Sequence, residues 1–192
     1  MKKDIAKVLE KKTIWEGKFF RFVLTTYIDS YGAIRQWESF ERVNCKGIVA
    51  ILPVTDNKEV LLIRQFRPPV NRYVIEFPAG LNDKGDTLEE AAKRELLEEA
   101  GYSARELFFL TEGVMSSGAS GEILTVFLAK GLEFKGIGER DETEDIEVLK
   151  IPINELYQKL DAFRSEGNYI DLKIYGLIEL AKIGRLIRFH GH

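Results

Sequence analysis

The chain has 192 residues, 45% of them hydrophobic and 31% charged, with a formal net charge of −3. Such a chain can fill one domain core, with or without an appended arm, and its slightly acidic balance offers no bulk attraction for nucleic acid. Cys45 is the only cysteine and His190 and His192 are the only histidines, which excludes an internal disulfide, a cysteine-cluster zinc site, a histidine-ligated metal core and any Ser–His or Cys–His nucleophile.

The basic start Met1-Lys2-Lys3 runs into Asp4, Lys7, Glu10, Lys11 and Lys12, so no signal-peptide core follows. No apolar run approaches the ~18 residues of a membrane span. A cytoplasmic protein without membrane contacts is expected. Residues 6–15 and 18–28 read as strands, the second rich in aromatic and β-branched residues from Phe19 to Ile28. Asp29-Ser30-Tyr31-Gly32 is turn chemistry, and 34–43 reads as a third strand. Gly47 to Val54 is a near-continuous apolar run, as in a strand buried on both faces. Asp56-Asn57-Lys58 then turns into Val60 to Phe66, and the pair reads as a hairpin. Tyr73 to Phe77 is a short strand leading into a glycine-containing loop. Beyond a helix from Thr87 to Gly101, strands are expected at 106–112, 123–129 and 146–151, and helices at 153–163 and 170–184. The fold class is α+β, with a mixed sheet and few helices.

The helix carries the chemistry. Thr87 and Glu90 have capping-box spacing, Leu88, Ala92 and Leu96 form an apolar stripe, and Gly101 suits the left-handed position past the end. Glu95, Glu98 and Glu99 fall on one side of the last turns. Like charges so placed repel, and a divalent cation facing a phosphorylated substrate would explain them. The plainer reading is a solvated face on which Arg94 pairs with Glu98 at i, i+4.

The stretch Gly80 to Tyr102 resembles the Nudix box, G-x5-E-x7-R-E-U-x-E-E-x-G-U, with U a bulky aliphatic residue. Gly80, Arg94, Glu95, Leu96, Glu98, Glu99 and Gly101 match, whereas Asp86 stands where the family usually has Glu and Tyr102 at the final aliphatic place. Leu62 to Val70, Glu76-Phe77-Pro78-Ala79-Gly80, the acidic run Asp141 to Glu147 and Asp171-x-Lys173 are similar to segments of the ADP-ribose and nucleoside diphosphate sugar pyrophosphatases. The resemblance implies a Nudix α/β/α sandwich over 45–192 and an N-terminal β arm over 1–44 that serves dimerisation and the substrate site. It further implies a homodimer.

It also implies magnesium, with manganese as a substitute, held by Glu95, Glu99, the Ala79 carbonyl and Glu98. Arg94 would hold a glutamate in place, and in the acidic loop Glu142 would be the general base and Glu144 a further metal contact or base. That loop can equally be read as a solvated charge run. Arg64 and Arg67 are candidates for gripping phosphate. On a regular strand they face opposite ways, which favours Arg67. Glu76 is a candidate contact to ribose or to a metal-bound water. Trp15, Phe19, Phe20, Tyr31 and Trp37 can stack on a base, or pack in the core or at an interface as strand aromatics more often do. Ser117 stands where ADP-ribose pyrophosphatases usually carry a proline, which bears on substrate choice. The implied reaction cleaves the pyrophosphate of a nucleoside diphosphate sugar, ADP-ribose or one like GDP-mannose, to nucleoside monophosphate and sugar phosphate. Alternatives are another nucleotide substrate, such as a dinucleotide or an oxidised triphosphate, and a non-catalytic nucleotide-sugar sensor.

Overall fold

The computed structural model describes residues 5–136 and 145–184. Three antiparallel strands come first, β1 (Lys7–Glu16), β2 (Phe20–Ile28) and β3 (Ile34–Arg42), in a sheet of order β1-β2-β3. Of the described residues up to Asn44 only Val23 is buried, so this arm has almost no core of its own.

Two further sheets form the body. One has β4 (Ile48–Pro53) and β9 (Ile123–Phe134) parallel at its centre, flanked by β7 (Ala79–Leu81) and β8 (Tyr102–Val114), in the order β7-β4-β9-β8. The other has the order β10-β5-β6-β11, with β5 (Glu59–Arg67), β6 (Arg72–Glu76), β10 (Ile146–Pro152) and the two-residue β11 (Tyr169–Ile170). The helices are α1 (Leu88–Ala100), α2 (Leu156–Ser165) and α3 (Lys173–Ile183).

The apolar run at β4 is explained by burial on both faces. Val49 and Ile51 pack with Leu61 against Ala91, Ala92, Leu96 and Ala100 of α1. Ala50 and Leu52 pack with Leu62 against Leu156 and Leu160 of α2 and Ile174 and Ile178 of α3. Successive side chains of a strand point to opposite faces, so β4 and β5 serve both cores. The result is the α/β/α sandwich expected from the resemblance, with α1 on one side and α2 and α3 on the other.

Three expectations change. The strands read as a hairpin, β4 and β5, meet only in a bridge between Val54 and Val60 and then diverge into different sheets. Ala79–Leu81, read as loop, is a strand antiparallel to β4, because Gly80 lies opposite Val49 and Ala79 opposite Ala50. The last helix begins at Lys173 rather than 170, because the backbone of Tyr169 and Ile170 is captured by Val74 and Ile75 of β6.

Candidate active site

The site lies where the end of α1 meets β7. Thr87 caps α1 with both hydrogen bonds of the capping box, and Gly101 ends it at φ 79°. A left-handed residue there costs glycine nothing. The apolar stripe fixes the rotation of α1 and brings Glu95 and Glu99 under the β7 backbone. Both are buried, with 9% and 4% of their surface exposed. The backbone N–H of Ala79 donates to Glu99 Oε2 at 2.8 Å. A Cβ added at Gly80 would stand 1.9 Å from the Glu95 carboxyl carbon, so only glycine lets this carboxylate lie against the strand.

Arg94 ties the arrangement together. Its Nη1 donates to Glu95 Oε1 at 2.7 Å and Glu98 Oε2 at 3.0 Å, and its Nη2 to the Leu81 carbonyl at 2.9 Å. Burial works against the charge on Arg94, but Glu95 and Glu98 outweigh it and hold the guanidinium pKa above its usual value. Asp86 approaches Arg94 Nε at 3.5 Å. Both readings of the glutamate helix therefore hold in part: Arg94 does pair with Glu98, yet Glu95 and Glu99 are buried rather than solvated.

These carboxylates line a cavity of about 680 Å³ together with Ala79, Arg94, Glu98, Arg67 and Glu76. Arg67 Nε donates to Glu76 Oε1 at 2.7 Å. Burial raises the Glu76 pKa above the usual carboxylate range, against the opposing pull of Arg67. Lys173 and Asp171, paired at 2.5 Å, form another part of the wall.

Arg64 does not line this cavity. It turns to the opposite face of β5, donating to Asn168 Oδ1 at 2.8 Å and lying over the Tyr73 ring at 3.8 Å. Ser117 lines a separate hollow with Trp37, whose Nε1 donates to the Gly118 carbonyl at 2.9 Å. Glu142 and Glu144 lie outside the described residues. Phe19, Arg42, Lys84 and Met115 also line the main cavity. Of these, only Phe19 is a candidate on the sequence alone. Arg42 reaches the wall from β3 through its 2.6 Å pair with Glu122, a contact between distant segments that leaves no local signal.

Among the described residues no three His, Cys, Asp or Glu side chains converge to hold an ion unaided. The buried pair Glu95 and Glu99 beside the β7 backbone nevertheless fits magnesium, which is commonly bound by one or two carboxylates and completed by waters and substrate phosphates.

The NUDIX domain, by its family model, matches residues 46–172. The chain is 34% identical to the ADP-sugar pyrophosphatase of Mus musculus over 183 residues, covering 88% of this chain and 84% of that protein. It is 36% identical to the ADP-ribose pyrophosphatase of Bacillus subtilis over 159 residues, covering 81% and 86%. A crystal structure of an ADP compounds hydrolase shares the fold with a TM-score of 0.75 at 23% identity, over 93% of each chain. Fold and box together define the class, and the chain belongs to the Nudix hydrolase family. Within it, the likeness is to the ADP-ribose and nucleoside diphosphate sugar pyrophosphatases. No helix among the described residues is long and apolar enough to cross a membrane.

Proposed function

We propose that the protein is a cytoplasmic, magnesium-dependent homodimer, with manganese able to substitute. It cleaves the pyrophosphate bond of a nucleoside diphosphate sugar, ADP-ribose or a close analogue, to nucleoside monophosphate and sugar phosphate. The observation that carries this is the burial of Glu95 and Glu99 against the strand at Gly80, in a cavity that also holds Arg67. Glu95, Glu99, the Ala79 carbonyl and Glu98 would hold the metal, which when bound neutralises phosphate charge and acidifies a water. Arg94 positions Glu95 and Glu98. Arg67 exchanges its bond to Glu76 for phosphate oxygens, which a guanidinium can grip in a bidentate way. Arg64, turned to the other face of β5, and Ser117, which lines a separate hollow, are left out of this substrate-binding set.

Glu142, or Glu144, takes the proton of the attacking water. The flanks of the acidic stretch support this role. Lys135 N–H donates to the Gly101 carbonyl at 2.9 Å, at the carboxylate end of α1. On the other side Ile146 pairs with Gln65, at the Arg67 end of β5.

The test is turnover of ADP-ribose, GDP-mannose, UDP-glucose, NADH and 8-oxo-dGTP with magnesium. Monophosphate release from one of the sugars is expected, and binding without turnover of any compound would overturn the enzyme reading. Glu99→Gln keeps an acceptor for the Ala79 N–H, so it should unfold as wild type does while losing at least about a hundredfold in kcat, in line with losses of transition-state charge stabilisation. Unchanged turnover would remove Glu99 from the metal site.

A further inference from the structure

A second cavity, of about 450 Å³, is lined by residues of β6, α2, β11 and α3. Its charged lining residues are Arg72 and Arg164, and no carboxylate lines it. Among the described residues Arg72 has neither a hydrogen bond nor an ion pair from its side chain. It is also the cross-strand partner of Arg67 on β5. Like charges placed opposite one another destabilise a strand pair. Arg67 resolves this by turning to Glu76, whereas Arg72 faces the second cavity without a counter-charge. Arg164 is held by Asp161 at 2.9 Å and donates to the Tyr175 hydroxyl, which steadies its guanidinium at the rim. The walls between the two arginines are the Tyr169 and Tyr175 rings and Leu172, with Tyr169 56% and Leu172 82% exposed.

We propose that this cavity is a binding site for a small aromatic anion of mononucleotide size. The guanidinia of Arg72 and Arg164 take its phosphate and Tyr169, Tyr175 and Leu172 cover its ring. A doubly charged phosphate matches two guanidinia. A flat ring gains from the tyrosines and from apolar surface otherwise left in water. The volume lies within the range of small-molecule sites.

The site shares a wall with the substrate cavity. Along 169–173, Tyr169, Ile170 and Leu172 line the second cavity while Asp171 and Lys173 line the first. An occupant that fixes this segment acts on the placement of Lys173. The assignment does not depend on which substrate the main cavity cleaves.

The experiment is calorimetric titration of the full chain with adenosine monophosphate and, separately, inorganic phosphate, without added metal. The proteins are wild type, Arg72→Ala, Arg164→Ala and Arg67→Ala. Expected are binding of the monophosphate by wild type and Arg67→Ala, and weakening of about tenfold or more in Arg72→Ala and Arg164→Ala, the loss of a charged hydrogen bond. Basal turnover of Arg72→Ala should equal wild type, and any shift of KM caused by the monophosphate at this site should vanish in it. Binding unaffected by either arginine substitution, or lost in Arg67→Ala, overturns the site. Inorganic phosphate binding as tightly as the nucleotide overturns the aromatic class of ligand. A KM shift that persists in full in Arg72→Ala overturns the coupling.

Discussion

Arg94 is the residue on which the site turns, and one of its atoms is poorly served. Its Nε is buried without a hydrogen bond, with Asp86 Oδ2 3.5 Å away as an ion pair only. Asp86 is the box position where glutamate is usual, and one more methylene would bring the carboxylate into hydrogen-bonding range. Asp86→Glu should therefore raise unfolding stability by about 1 kcal/mol, a net charged hydrogen bond at a buried donor; urea titration measures it, and a loss of stability would show that the gap is imposed by the loop. Glu76 gives a second prediction at this scale. Its folded pKa is raised by burial, only partly offset by Arg67. The folded state therefore holds this proton more tightly than the unfolded chain, and the resulting stability is greatest in acid and is lost as pH rises through the folded value. Against Glu76→Gln, which cannot ionise, wild type should lose ground as pH climbs from about 4 through that raised value. Urea midpoints of both proteins across this window check it, and a gap that stays constant or moves the other way removes Glu76 as a buried titrating group.

At the scale of elements, α1 is the part that positions the site, and its start is set by one side chain. Thr87 Oγ1 accepts from the Glu90 N–H while Glu90 Oε2 accepts from the Thr87 N–H. Thr87→Ala should cost about 1 kcal/mol, seen as a lowered melting temperature. The carboxylates lie at the other end of the helix, so kcat should stay near wild type; a large loss of kcat would mean that fraying reaches the site. This helix is legible in the sequence because cap, stripe and terminal glycine are all local. The opposite orientations of Arg64 and Arg67 are legible too, since the period of two of a strand dictates them. The strand at Ala79–Leu81 and the pair Tyr169–Ile170 are not. Each exists through pairing with a distant strand, and neither Gly80 nor so short a segment carries strand propensity. The divergence of β4 and β5 is hidden for a related reason: a turn at Asp56 to Lys58 fits a hairpin, but β4 finds its ladder with β9, far along the chain. Within the site, the box announces the carboxylates, whereas Arg42 and Met115 reach the cavity wall only through tertiary packing.

For the whole molecule, the arm is the feature a single chain leaves unresolved. Trp15, Phe22 and Ile34 are exposed on one face of a sheet with one buried residue, while Val8 and Trp37 fall on the other face. So much exposed apolar surface marks an interaction site. The edge strand β1 carries Lys7, Lys11 and Lys12, and lysines along an edge discourage edge-to-edge pairing. Burial through the face of the sheet is the remaining solution, and a second copy of the same arm offers a matching apolar face in a two-fold dimer. The arm also places Phe19 and Arg42 in the wall of the main cavity, so under the proposed function its position bears on substrate affinity. The full chain should thus run as a dimer in light scattering after gel filtration. Trp15 and Phe22, whose rings lie 6.2 Å apart, are the side chains to change: Trp15→Glu with Phe22→Glu should yield a monomer with a raised KM and an intact core, since neither residue packs into the body. A wild-type monomer at micromolar concentration, or a double variant that still dimerises, would move the interface off this face.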